Sequence, residues 1–322
     1  MSDDRERGRE ISITAKIDET GFTASVRSRL AATLEDLLGA GFEWPTEWIK
    51  GKVQHQSQKN ETQKVLAALE RDAAAKILQE IPELGQRAVR KFLGTEIRKQ
   101  QNLEAITFQA VDELKQLPPP IAEEVDDESE ELDPDWMNVF EDYAAKASSE
   151  RLRTLWARIL AGEIRKPTSF SRTTMRLVAE MDQSIALVFE SALEMLLDGS
   201  EIPQFEHLSG KKLQDFLFLE EVGLLQDVSG MIARPHNASD DSVIANGGLL
   251  LRFHVLNAFH LEFIPLTRAG REIAKIIPKA ADDIVLRRIA ENFRESITEV
   301  KLAKIVKREG FGFHARNIEE LT

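Results

Sequence analysis

The chain has 322 residues, 42% of them hydrophobic, with a formal net charge of −13 and no cysteine. Such a composition suits globular cores in a reducing compartment and rules out disulfides, thiolate metal sites and cysteine nucleophiles. No stretch approaches the roughly 20 apolar residues that span a bilayer, and the opening MSDDRERGRE is charged where a secretory signal would be apolar, so we expect a soluble cytoplasmic protein with no membrane contact.

The first 27 residues show little periodicity, although ISITAKI (11–17) alternates as a short strand would. Val26, Leu30, Leu34 and Leu37 share one face of a helix at 25–39. Leu66, Leu69, Ala73 and Ile77 do the same at 60–80. A third helix at 86–116 repeats Ile97, Leu103, Ile106, Ala110, Leu114 and Leu117, close to a heptad seam, with Gly94 as the place where it would break or bend. Packing inside a helical domain is the expected use of that seam, ahead of an oligomer contact.

Pro118 to Pro134, PPPIAEEVDDESEELDP, then changes the composition abruptly. Residues 121–142 hold 11 acidic side chains and no Lys or Arg, whereas 1–120 and 143–322 are each balanced to −1. Proline and like-charge repulsion disfavour packed structure, so the tract reads as an extended linker. The expected organisation is therefore a helical domain at 1–117, the linker at 118–134, and a second domain at 135–322.

Beyond the linker, Asp133-Pro134 is an N-cap with proline at the first helical position of a helix at 134–146. Ser148 or Ser149 caps the next, 149–164, whose buried face is Leu152, Leu155, Trp156, Ile159 and Leu160. Pro167 stops it, Ser169 or Ser171 caps a helix at 171–181, and Asp182 starts another that runs to Leu197. A helix at 209–221, a short strand at 222–225 and a polar loop follow. Two β-type runs come next, LLLRFHVL (249–256) and FHLEFIPL (259–266), and then a helix capped by Thr267. That order is the one expected of a winged-helix-like module. Its hairpin would take a three-residue loop at 257–259, pairing Phe253 with Phe263 and Val255 with Leu261. A helix at 282–295 and a strand at 298–307 complete the reading. The expected fold class is mainly α, with a winged-helix-like α+β module near the C-terminus.

The block DWMNVFEDYAAKASSERLRTLWARILAGEIRKPTSFSRTT (135–174) resembles the signature of a bacterial family, domain of unknown function 2806. The stretches EIRKQQNLEAI (96–106) and PLTRAGREI (265–273) resemble its other recurring blocks. The LW-x-x-[IL]-LA core is also similar, more weakly, to the abortive-infection alpha group of phage-defence proteins. The resemblance implies a bacterial, cytoplasmic protein, with phage defence or stress response as its setting. It implies no catalytic residues, because the family has no assigned chemistry.

The residues themselves offer three candidate surfaces. Trp156 and its apolar neighbours form a core stripe, but the same segment is basic on its other side. Between 150 and 176 stand seven Arg or Lys against two Glu. Arg151, Arg158, Arg165, Lys166, Arg172 and Arg176 are the candidate contacts there for an anion or a protein partner, against the plainer reading of a solvated face. The hydroxyls of 169–174 at a helix start could bind an anion, though ordinary capping explains them better. In the expected hairpin, Arg252, His254, His260 and Glu262 would share one face. There Arg252, His254 and His260 could touch a nucleic-acid backbone, and the histidines with Glu262 could in principle hold a metal, without any HExxH-type spacing to favour it. No P-loop, GxGxxG or GxSxG motif occurs. We expect no catalytic site, no cofactor and no metal. The expected role is a non-enzymatic interaction or regulatory protein with a protein partner, homo-oligomerisation being one option. The alternative is nucleic-acid binding by the winged-helix-like module, held in check by the acidic linker.

Overall fold

The computed structural model describes residues 24–38, 82–116, 132–230, 232–277, 283–309 and 312–321. The expected strand at 11–17, the helix at 60–80 and residues 118–131 of the acidic tract lie outside the described residues. The chain divides into two compact units, Met1–Thr168 and Ser169–Thr322. The division falls at 168/169 rather than at the acidic tract.

The first unit is helical. Its described elements are α1 (Ala24–Leu38), α2 (Pro82–Gln116), α3 (Pro134–Ala144) and α4 (Glu150–Arg165). Local chemistry sets the starts. The Asp133 carboxylate accepts the Asp135 N–H ahead of Pro134, and Ser149 Oγ accepts the Leu152 N–H. α2 continues through Gly94 without interruption. Its second half, Leu103, Ile106, Ala110, Val111 and Leu114, is buried where α4 packs on it. Gln109 pairs with Thr154 and Glu113 with Arg158. Both pairs advance four residues on each helix, so α2 and α4 run parallel and α3 belongs to the return path. Trp156 is 1% exposed, edge-on to Phe140 and stacked with Tyr143. The core-stripe reading of α4 therefore holds, with Ala157, Ala161 and Ile164 buried as well and Leu152 only partly.

The second unit overturns the mainly α expectation. Its helices are α5 (Arg172–Glu180), α6 (Gln183–Leu193), α7 (Gly210–Glu221), α8 (Arg268–Ala274) and α9 (Asp283–Asn292). Its strands are β1 (Glu201–Gln204), β2 (Ile232–His236), β3 (Asp241–Asn246), β4 (Leu249–Val255), β5 (Phe259–Pro265), β6 (Ile297–Glu309) and β7 (Gly312–Glu320). They form two antiparallel sheets, ordered β1-β5-β2 and β3-β4-β6-β7. The unit is α+β.

The expected hairpin does not exist. β4 pairs with β3 and β6, and β5 pairs with β1 and β2, so the three residues 256–258 carry the chain from one sheet to the other. Phe253 lies opposite Ser242, and Phe263 lies opposite Pro203 and Ile232. The winged-helix-like order falls with the hairpin. The physical reason is that period-2 burial fixes which face of a strand is covered, not which strand lies beside it. Leu251, Phe253 and Val255 of β4 and Phe259 and Leu261 of β5 do bury together. They do so in one core with Val285, Leu286 and Ile289 of α9, across sheets rather than along a ladder.

Candidate interaction surfaces

The basic residues of 150–176 do not form one surface on one body. Five of the seven lie in the first unit and two, Arg172 and Arg176, in the second. Arg151 and Lys166 are exposed. Arg158 Nε donates to Glu113 Oε1 at 3.0 Å, which commits it to the seam between α2 and α4. Arg165 and Lys166 stand where α4 ends. Buried Arg29 of α1 donates there to Ile164 O at 2.7 Å and Arg165 O at 3.0 Å, a cation on the negative end of the helix.

The hydroxyl-rich start of α5 does hold an anion, and the chain supplies it. Ser171 Oγ accepts the Thr174 N–H as the N-cap. The Glu272 carboxylate of α8 accepts the Ser171 N–H at 2.6 Å and the Thr174 hydroxyl at 2.5 Å through one oxygen, and Arg268 Nε at 2.7 Å through the other. Burial alone would push this carboxyl up. The hydrogen bonds from Ser171, Thr174 and Arg268 outweigh it and hold Glu272 below the ordinary carboxylate value. Sequence reasoning found the cap but not its occupant, which comes from about a hundred residues downstream.

The shared face of Arg252, His254, His260 and Glu262 is likewise dispersed between the two sheets. Arg252 sits between Val243 and Lys301, and His254 Nδ1 lies 3.0 Å from Asp241 Oδ1. His260 and Glu262 are on β5, opposite Pro235 and Ala233. Among the described residues no cluster of three or more His, Asp or Glu could hold a metal. The histidine with the most constrained setting is one the sequence did not single out. His236 stacks on Phe259 at 4.8 Å and meets Ser242 Oγ at 3.1 Å through Nδ1. Burial, and then the Arg234 charge, push its pKa down, which keeps the ring neutral in the aromatic core.

The largest departure from a buried-inside pattern is the first half of α2. Leu84, Val89, Phe92, Leu93 and Ile97 are between 40% and 64% exposed. Leu84, Ala88 and Phe92 continue the stripe that Leu103, Ile106 and Ala110 bury lower down, and Val89, Leu93 and Ile97 widen it. Exposed Arg87, Arg90, Lys91 and Arg98 surround these side chains, and residues 82–99 carry a net charge of +3. Only Ile97 belonged to the expected seam. The i, i+4, i+8 repeats 84-88-92 and 89-93-97 were the signal for the rest.

Residues 86–221 match the model of the family described as protein of unknown function (DUF2806). The match bears out the resemblance carried by 135–174 and ends short of 265–273. It lends no support to the weaker likeness to the abortive-infection alpha group. No curated protein and no solved structure matches the chain. Among the described residues no helix is long and apolar enough to cross a membrane.

Proposed function

We propose that this is a non-enzymatic interaction protein whose partner surface is the first half of α2. The observation that carries the reading is the run of five large apolar side chains, Leu84 to Ile97, standing in solvent over four helical turns. Contiguous apolar patches of this kind mark binding sites, because leaving them wet forgoes the burial free energy. The partner that fits is an amphipathic helix with an apolar stripe and carboxylates beside it. Phe92 and Leu93 supply the central anchors, and Arg87, Arg90, Lys91 and Arg98 supply charge complementarity at the rim.

The test uses two synthetic helical peptides with the same leucine stripe, one flanked by glutamate and one by lysine, titrated into the full chain. The acidic peptide is expected to bind at least tenfold more tightly than the lysine peptide. Phe92→Glu is expected to weaken it by about tenfold or more, since an anchor in an interface centre is worth about 2 kcal/mol. Equal binding of both peptides, or equal binding by Phe92→Glu, overturns the reading. So does a stable dimer that Phe92→Glu dissociates, which would assign the face to a second copy of the chain.

A further inference from the structure

We infer that His236 is an acid-sensitive latch: protonation of its ring frees the corner where the chain passes from one sheet of the second unit to the other. His236 is the last residue of β2, and residues 237–240 carry the chain from there to β3 in the other sheet. The second crossing, 256–258, lies beside the first, since His236 pairs with Phe259, the first residue of β5. Backbone bonds tie the two together, from the Ser239 N–H to Val255 O at 2.8 Å and from the Val255 N–H to Asp240 O at 2.9 Å. Ser239 makes the turn with a left-handed φ of 70°, a conformation that persists only where the surroundings enforce it. The His236 side chain joins the two sheets. It stacks on Phe259 of one at 4.8 Å and lies 5.6 Å from Phe253 of the other, with Nδ1 3.1 Å from Ser242 Oγ of β3.

The ring suits this place only while neutral. Nδ1 faces a hydroxyl, which either donates or accepts. Nε2 is buried and has no hydrogen-bond partner among the described residues, so a neutral ring can leave a bare lone pair there. The imidazolium carries a proton on each nitrogen, and its Nε2–H would have no acceptor and its charge no counter-ion in contact, a costly state for a buried cation. Two charged groups bear on the ring. Arg234 of the same strand opposes protonation, and Asp240 of the corner favours it but is outweighed by burial and Arg234. The other elements bring no charge to it. Phe253 of β4 and Phe259 of β5 present uncharged rings, and Phe293, just past α9, stacks on Phe259 at 4.2 Å. Asp241 of β3 is engaged with His254 at 3.0 Å, and His260 and Glu262 alternate to the opposite face of β5. The folded ring therefore titrates below the ordinary 6.5, and an opened corner takes up the proton first. The stability of the closed corner is complete above about pH 6.5 and is lost as pH falls through the folded value. Opening releases β2 and uncovers one edge of β5, a row of backbone groups onto which an extended segment can add.

The experiment is amide hydrogen exchange of the full chain at pH 7.5 and 5.0, each rate divided by that of an unstructured peptide at the same pH. Protection at 232–242 is expected to fall by about fivefold or more at the lower pH, with a ceiling of about thirtyfold for one proton taken up between pH 6.5 and 5.0. The β4–β6 ladder should keep its protection, whereas a plain core histidine would weaken the whole unit evenly. Glu272, held below its ordinary 4.5, is still charged at pH 5.0, so its bonds do not enter the change. His236→Phe keeps a stacking ring that takes no proton, and its protection at 232–242 should be equal at both pH values. His254→Gln should respond as the wild type does. Because His236→Phe also strips Ser242 of its partner, the wild-type ring is titrated directly through its Cε1 NMR signal, with a midpoint expected below 6.5. A midpoint at or above 6.5 overturns the proposal, as does a fall in His236→Phe equal to the wild type's. So does protection at 232–242 that ignores pH, or a fall of the same size along β4 and β6. None of these readouts depends on the α2 surface.

Discussion

Glu272 illustrates how much one side chain can settle. It is 5% exposed and receives three hydrogen bonds, two of them from the first turn of α5. Glu272→Ala leaves the Ser171 N–H without its acceptor, removes the partner of Arg268 and leaves the buried Thr174 hydroxyl only Ser171 Oγ at 3.0 Å, and is expected to cost about 2–4 kcal/mol in urea unfolding. The pH dependence has a definite sign. The folded-state pKa lies below the ordinary 4.5, so this contribution is present above about pH 4.5 and is lost as pH falls through the folded value. Melting curves at pH 7 and pH 3.5 should converge for the wild type and Glu272→Ala as the acid side is approached. At this scale the sequence was legible where contacts are local. Asp133, Ser149, Ser171, Asp182 and Thr267 all cap the helices they precede, because a cap is a bond to a residue two or three positions on. Glu272 on Ser171, and Arg29 on the end of α4, are long-range bonds that no spacing rule encodes.

Elements were legible in proportion to how one-sided their burial is. α4 declared itself through a repeating apolar stripe. β2 (IARPH) and β3 (DSVIAN) did not, since each lies at a sheet edge and buries few of its side chains, so a polar run with a proline read as loop. β7 (GFHARNIEE), whose charged and polar run gave no alternation to read, likewise lies at a sheet edge. The register of β4 and β5 was wrong because alternation leaves the neighbour undetermined. Glycines show how packing then discriminates between elements. A Cβ on Gly270 of α8 would lie 2.1 Å from Leu224 O, whereas one on Gly94 of α2 would meet nothing within 4 Å. The backbone approach at Gly270 is enforced by Thr267, whose N–H and hydroxyl both donate to the 223–224 carbonyls. Urea titrations should find Gly270→Ala destabilised by about 3 kcal/mol. Gly94→Ala should be stabilised by about 0.5–1 kcal/mol, as alanine replaces glycine in an open helix.

At the scale of the molecule, composition and packing mark different boundaries. The acidic tract is where the charge changes, while the compact units meet at 168/169. Helices α3 and α4 lie beyond the tract yet share a unit with α2, since Trp136, Phe140 and Trp156 need a helical surface to bury against. All four tryptophans, at 44, 48, 136 and 156, fall in the first unit. Tryptophan fluorescence therefore reports that unit alone, and far-UV circular dichroism reports both. The expected result in urea is two transitions that do not coincide, with residues 169–322 expressed alone reproducing the fluorescence-silent one. Coincident curves, together with an unfolded fragment, would mean that the units are one cooperative body.

The bond from Arg29 to the last carbonyls of α4 joins residues 135 apart in sequence. During synthesis α1 leaves the ribosome first, and the helix whose end it caps follows only after those intervening residues are added, about 7–27 s later at 5–20 residues per second. Throughout that interval Val26, Leu30, Leu34 and Leu37 have no α4 to cover them. The other neighbour of α1, α2, is complete at residue 116, so the side of α1 that faces α4 is the part whose cover arrives last.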